Sequence, residues 1–252
     1  MDQQAIVETH NLSKIYGNQV AVNDLTFSIQ EGEIFGFLGP NGSGKTTTLL
    51  MLLGLTEPTK GWARVAGFDP TKQALKVKKI VGYIPENVGF YDDMSAIENL
   101  HFIARLNNIP DSVSSPKIED ALERVGLKDE GKKKVGAYSR GMRQRLGIAE
   151  IYLKQPQVVF LDEPTLGLDP DGTTKIIEYI QSLSRDKNMT IFLSSHDLRQ
   201  VQKISHRIGI MINGQMIAVG SLEELAKEKL GVDDTAISLD DVYMKYFQEV
   251  SP

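Results

Sequence analysis

Ile34-Phe35-Gly36-Phe37-Leu38-Gly39-Pro40-Asn41-Gly42-Ser43-Gly44-Lys45-Thr46 is the stretch that decides how this chain folds. Its first five residues carry no charge and no hydroxyl, which reads as a short strand buried on both faces. The following eight are dense in glycine, and Thr47-Thr48-Leu49-Leu50-Met51-Leu52-Leu53 then reads as a helix stopping near Gly54. A buried strand, a glycine-rich turn and a helix in that order point to an α/β domain.

The turn itself fits GxxxxGK[ST] in the required strand-then-helix setting. Glycines let the backbone wrap closely, so that its N–H groups point inward at phosphate oxygens, and the helix start adds a positive dipole end. Gly39, Pro40, Asn41, Gly42, Ser43, Gly44, Lys45, Thr46 and Thr47 are therefore the expected nucleotide-phosphate contacts. Lys45 is expected to neutralise the β- and γ-phosphates, and the Thr46 hydroxyl to ligand Mg²⁺. A second apolar strand, Val158-Val159-Phe160-Leu161, ends in Asp162-Glu163. Asp162 is placed to hold Mg²⁺ through its water shell, and Glu163 to orient and polarise an attacking water.

Other strands are expected at Leu25–Ile29, where apolar and polar residues alternate, and at residues 189–194, 207–212 and 215–219. Residues 87–155 differ in character. Ile97, Leu100, Ile103 and Ala104, then Ile118, Leu122 and Val125, recur at helical spacing around an expected loop from Pro110 to Pro116. The reading is an α/β core, residues 1–86 and 156–220, carrying a helical subdomain at 87–155 and a helical extension at 221–252. In that extension Leu239, Val242, Tyr243, Tyr246 and Phe247 share one helix face behind Ser238 as cap, which predicts packing back onto the domain.

Composition narrows the function. With 252 residues, 41% of them hydrophobic, the chain is long enough for one large domain. No apolar run approaches the ~18 residues that cross a bilayer. The polar start Met1-Asp2-Gln3-Gln4 predicts no secretory signal. The chain has no cysteine, so disulfides and thiolate-bound metals are excluded. A net charge of −5 argues against a nucleic-acid partner. Lys76-Val77-Lys78-Lys79 and Lys132-Lys133-Lys134 read as solvated surface.

Together these segments resemble the ATP-binding subunits of ABC transporters over roughly residues 5–220. Tyr138-Ser139-Arg140-Gly141-Met142 stands where that family has Leu-Ser-Gly-Gly-Gln, keeping the serine and the second glycine, with Ser139 23 positions before Asp162. The resemblance implies a P-loop NTPase core with a mixed sheet, an antiparallel edge region and an inserted helical subdomain. It further implies a homodimer or heterodimer of nucleotide domains with ATP at the interface, so that Ser139 and Gly141 act on the γ-phosphate held by the other subunit. Tyr16 matches the aromatic that stacks on adenine. Leu166-Gly167-Leu168-Asp169 matches the loop crossing the dimer interface, with Asp169 among the ATP contacts. His196 matches the switch histidine at the γ-phosphate.

Glu86, after Gly82-Tyr83-Ile84-Pro85, stands where most of the family has glutamine; a carboxylate there can take a water of Mg²⁺ but cannot donate as an amide does. Glu86, Arg140 and Met142 resemble the export branch called ABC type 2, as do Gly89-Phe90-Tyr91, Glu98-Asn99-Leu100 and the tail from Ser238 to Val242. The expected cofactors are ATP and Mg²⁺. The expected partner is an integral membrane permease on a separate chain, and the expected location is peripheral, on the cytoplasmic face of the membrane. The alternative is a soluble ABC-type ATPase acting on ribosome or nucleic acid. It is disfavoured by the acidic charge, the single glycine loop, and the lack of heptads between that loop and Ser139.

Overall fold

The computed structural model describes residues 5–231 and 238–250; the polar start Met1–Gln4 lies outside them. Strand β3 (Ile34–Leu38) is the hub. Its side chains alternate between two cores. Phe35 and Phe37 point into one, Ile34 and Leu38 into the other. Strands β6 (Val158–Asp162) and β7 (Thr190–Ser195) repeat the division, with Phe160 and Phe192 on the Phe35 side and Val159, Leu161, Ile191 and Leu193 opposite. Uninterrupted apolar strands are what a sheet covered on both faces requires.

With β5 (Val81–Ile84), β8 (Arg207–Ile212) and β9 (Gln215–Gly220) these strands form a six-stranded sheet in the order β5-β6-β7-β3-β8-β9. All neighbours are parallel except β8 and β9, so the sheet is mixed as expected. A second sheet, three-stranded and antiparallel, has the order β2-β1-β4 from β1 (Ala5–Tyr16), β2 (Gln19–Gln30) and β4 (Lys60–Val65). Phe27 of β2 stacks on Phe35 with ring centroids 5.5 Å apart, and Phe37, Phe160 and Phe192 complete an aromatic layer between the sheets. The predicted alternation is borne out: Leu25, Phe27 and Ile29 are buried, while Thr26 between them is exposed.

Helix α1 (Lys45–Leu52) follows the glycine-rich loop, and α2 (Ala74–Ile80) precedes β5. Residues 87–155 hold α3 (Ala96–Leu106), α4 (Asp111–Arg124) and α5 (Arg140–Lys154) and no strand among the described residues. One expectation fails here. Residues 111–116 are not a loop, because α4 starts at Asp111 with Pro110 as its cap and carries Pro116 inside it. Ser114, Ile118, Ala121 and Leu122 form a continuous buried stripe on α4. That packing outweighs the one backbone bond Pro116 cannot donate.

The second core continues beneath α6 (Pro170–Lys187), α7 (Leu198–Ile204), α8 (Leu222–Leu230) and α9 (Leu239–Val250). Ser238 Oγ accepts the Asp241 N–H, and Leu239, Val242 and Tyr246 are buried, so the tail helix packs on its own domain as its pattern predicts. Gln202 of α7 accepts the backbone N–H of Leu239 at 2.8 Å, which ties the start of α9 to α7. Tyr246→Ala should lower stability by about 3 kcal/mol, read as a lower urea midpoint at unchanged m-value. An unaltered midpoint would mean that α9 does not hold to the domain in solution.

Candidate nucleotide site

The carboxyl ends of β3, β6 and β7 converge on one point, where the polar groups missing from the strands appear together. Asp162 ends β6 opposite Ser194 of β7. Its Oδ1 accepts from Ser194 Oγ at 2.7 Å and its Oδ2 from Thr46 Oγ1 at 2.9 Å, which joins two strands to the first turn of α1. Thr46 and Asp162 thus present adjacent hard oxygens, the donor type Mg²⁺ prefers. No cluster of three or more His, Cys, Asp or Glu able to hold a metal is present among the described residues. A Mg²⁺ here would complete its shell from substrate phosphate and water, which is its usual habit.

Glu163 leaves the strand with φ 49, a left-handed backbone uncommon outside glycine, while its N–H still donates to the Ser194 carbonyl at 3.0 Å. That turn separates its carboxylate from Asp162. Oε2 lies 2.9 Å from His196 Nδ1. Oε1 lies 3.7 Å from Lys45 Nζ and is buried without a hydrogen-bond partner. A buried, half-satisfied carboxylate oxygen is costly unless something else enters the site to use it.

Lys45 is buried, and its Nζ folds back to donate to the carbonyls of Gly39 at 2.7 Å and Pro40 at 3.2 Å. Burial pulls its pKa below the usual lysine value, and the charges of Glu163 and Asp162 oppose that shift. Two glycines shape the loop around it. A Cβ on Gly39 would meet the Met211 carbonyl oxygen at 2.2 Å, and one on Gly44, at φ +106, the Ala21 carbonyl oxygen at 2.4 Å. Gly44 also caps α1 without any side-chain bond, which leaves the first N–H groups of the helix open to an anion.

A cavity of about 300 Å³ opens over this loop. The loop supplies Asn41, Gly42, Gly44, Lys45, Thr46 and Thr47 to its wall, and Asp162 and Glu163 supply the far side. Glu86 closes one edge, and Tyr16, 47% exposed, lines it with Lys14 Nζ 4.9 Å over its ring. Gly39, Pro40 and Ser43 form the back of the loop, where the Ser43 N–H donates to the Pro40 carbonyl. His196 joins through its contact with Glu163.

Ser139, Gly141 and Asp169 do not line this cavity. Ser139 caps α5, its Oγ accepting the Met142 N–H at 3.2 Å, and Asp169 caps α6 by accepting the Gly172 N–H at 2.8 Å. Gly141 faces Leu168. Arg140 reaches the Glu86 carbonyl at 3.4 Å. Sequence reading misses Ser194, Gln19 and Ala21. Ser194 is marked only by its register against Asp162, and the other two only by the path of β2 past the loop. Gly39→Ala should weaken nucleotide binding by well over tenfold in a folded protein, by titration calorimetry, because the added carbon must displace backbone; unchanged affinity would mean the loop shifts freely.

The model of the ABC transporter family matches residues 22–166. Over 222 residues the chain is 41% identical to the bacitracin transport ATP-binding protein of Bacillus licheniformis, covering 88% of this chain and 72% of that protein. It is 34% identical over 234 residues to the linearmycin resistance ATP-binding protein of Bacillus subtilis, covering 93% and 74%. A solved structure described as the ATP-binding subunit of an ABC transporter superposes with a TM-score of 0.87 at 27% identity, over 96% of this chain and 99% of that one. The strand-end carboxylates, the glycine cradle and these matches lead to one assignment: the chain belongs to the ABC transporter family, as an ATP-binding subunit that uses ATP and Mg²⁺ to power transport.

Proposed function

We propose that this subunit drives an exporter of the type 2 branch, with its site residues divided between two protomers. The observation that carries the division is that Ser139 and Gly141 lie outside the cavity that holds Lys45, Thr46, Asp162 and Glu163. On this reading the phosphate loop of one protomer is completed by the signature turn of the other, whether the pair is a homodimer or a heterodimer. Tyr16 stacks on the adenine, Asp169 lies at the dimer seam, and Glu86 takes a water of the metal. Similarity to proteins of bacitracin transport and linearmycin resistance supports export. The acidic net charge and these relatives leave the ribosome or nucleic-acid reading without support.

Within a protomer the chemistry follows from the contacts. Lys45 carries the charge that meets the terminal phosphates, and the loop N–H groups and the α1 dipole hold them in line. Thr46 and Asp162 would hold Mg²⁺, which would supply charge neutralisation for the phosphates. Glu163 orients a water and accepts its proton at a carboxylate oxygen. His196 steadies that carboxylate through Nδ1, and on this reading the rest of its ring meets the γ-phosphate. ATP binding draws two such protomers together, and product release lets them part.

The division into a core (1–86 and 156–220), a helical unit (87–155) and an extension (221–252) assigns the motion. The helical unit carries Ser139 and also an apolar cavity of about 340 Å³ lined by Gly89, Phe90, Tyr91, Asn99, Phe102 and Ile103. Tyr91 and Phe102 meet edge-on at 5.1 Å, and both are exposed. This hollow is where a cytoplasmic segment of the membrane permease seats. The reading puts the permease on a separate chain and this subunit on the cytoplasmic face of the membrane. No helix among the described residues is long and apolar enough to cross a membrane.

Glu163→Gln should bind ATP with near-normal affinity and lose at least about a hundredfold in turnover; normal turnover would remove Glu163 from its role. In a mixed dimer, Ser139→Ala in one protomer should impair the site whose Lys45 lies in the other, and damage confined to its own site would falsify the trans arrangement. Phe102→Asp should abolish co-purification with the permease while leaving ATP affinity of the subunit intact.

A further inference from the structure

Glu163 and His196 stand on two separate loops, and their contact alone does not say what keeps the loops at this spacing. Glu163 follows β6, and His196 follows β7 with its side chain 44% exposed. Two residues beyond Glu163, Thr165 is buried; one beyond His196, Asp197 caps α7. Gln200, on the first turn of α7, bridges them. Its Nε2 donates to Asp197 Oδ2 at 2.7 Å, and its Oε1 accepts from the Thr165 hydroxyl. Glu163, Thr165, His196, Asp197 and Gln200 all border one cavity of about 540 Å³.

The amide is fixed in this sense. A carboxylate only accepts, so Nε2 must face Asp197, and a hydroxyl then remains to serve Oε1. Asp197 is itself held, its Oδ1 accepting the N–H groups of Arg199 at 3.1 Å and Gln200 at 3.2 Å, and its own N–H donating to Ser195 Oγ at 3.0 Å. Each loop therefore ends in a rigid polar group, and one side chain joins the two. We propose that Gln200 is a positioning residue that sets the distance between Glu163 and His196, and so the alignment of the attacking water. This rests on the roles given above to Glu163 and His196. The alignment then depends on a matched donor and acceptor between residues 197 and 200, with residue 200 also accepting from Thr165.

The test compares Gln200→Glu with the double variant Asp197→Asn, Gln200→Glu in the full chain, by steady-state ATP hydrolysis. Glutamate has the shape of glutamine but sets an acceptor against Asp197, so the loops should part and kcat should fall by about ten- to a hundredfold, with KM changed by less than about twofold. The double variant reverses the polarity of the pair. The asparagine it introduces still caps α7 and now donates to the new carboxylate in the first turn, so kcat should return toward the parent value. Parent kcat in Gln200→Glu, a fall in kcat matched by a rise in KM, or a double variant no faster than the single one each overturns the proposal. If Gln200→Glu does not fold, Thr165→Val removes one of the two bonds at nearly constant shape, and the absence of the same kcat-specific loss overturns it equally. Glu163→Gln measured alongside separates the two failures: normal turnover there sinks the reading of Glu163 and the proposal with it, whereas an inactive Glu163→Gln beside a normal Gln200→Glu sinks the positioning role alone.

Discussion

The central strands are buried on both faces, and everything chemical in this protein follows from that constraint. β3 is apolar along its length and β6 up to its last residue, Asp162, and neither can carry an unpaired polar side chain without a large desolvation cost. Polar groups can emerge only where the strands end. Because the strands are parallel, their carboxyl ends lie on one edge of the sheet, and the residues that follow them are gathered without any further device. Asp162, Glu163, His196 and the glycine loop all stand at or just past such an end.

Gathering is not the same as aligning. The strands bring loops to the same edge, but a loop is free to wander by an ångström or more, and bond-making tolerates less. Alignment comes from cross-links between loops. Ser194 and Thr46 clamp the two oxygens of Asp162. Glu163 turns through a left-handed backbone to meet His196, and Arg140 brings the signature turn to the Glu86 carbonyl. Each link spans two segments that are distant in sequence, so motion of one is felt by the other. A transport ATPase needs this property, because its task is to turn a change at phosphate into movement at a membrane partner.

The phosphate loop, the strand ending in Asp162-Glu163 and the tail helix are all legible in the sequence. Each is a local pattern: glycine spacing, an apolar run, one helix face. The family resemblance supplies Tyr16, Glu86, Ser139, Gly141, Asp169 and His196. What stays hidden depends on register between strands far apart. Ser194 matters because it stands opposite Asp162, 32 residues away, and Gln200 because its side chain reaches Thr165, 35 residues away. Strands β1 and β4 escape a sequence reading as well; β1 is interrupted by bulges, which blur its alternation. Pro116 misleads for the opposite reason. A strong local signal for a break is overruled by a buried stripe visible only once α4 has neighbours to pack on.

The position of β3 between β7 and β8 has a consequence for the order in which the protein comes into being. The phosphate loop is encoded early, yet its strand has no partner until residues 190–212 exist, and Gly39 is shaped by the carbonyl of Met211. At about 5–20 residues per second, the ribosome emits the loop on the order of ten seconds before the two strands that flank β3 in the sheet. During that interval the segment is an apolar run with a glycine tail, unable to recognise phosphate and open to mispairing. The nucleotide cradle is therefore complete only when the chain is nearly finished.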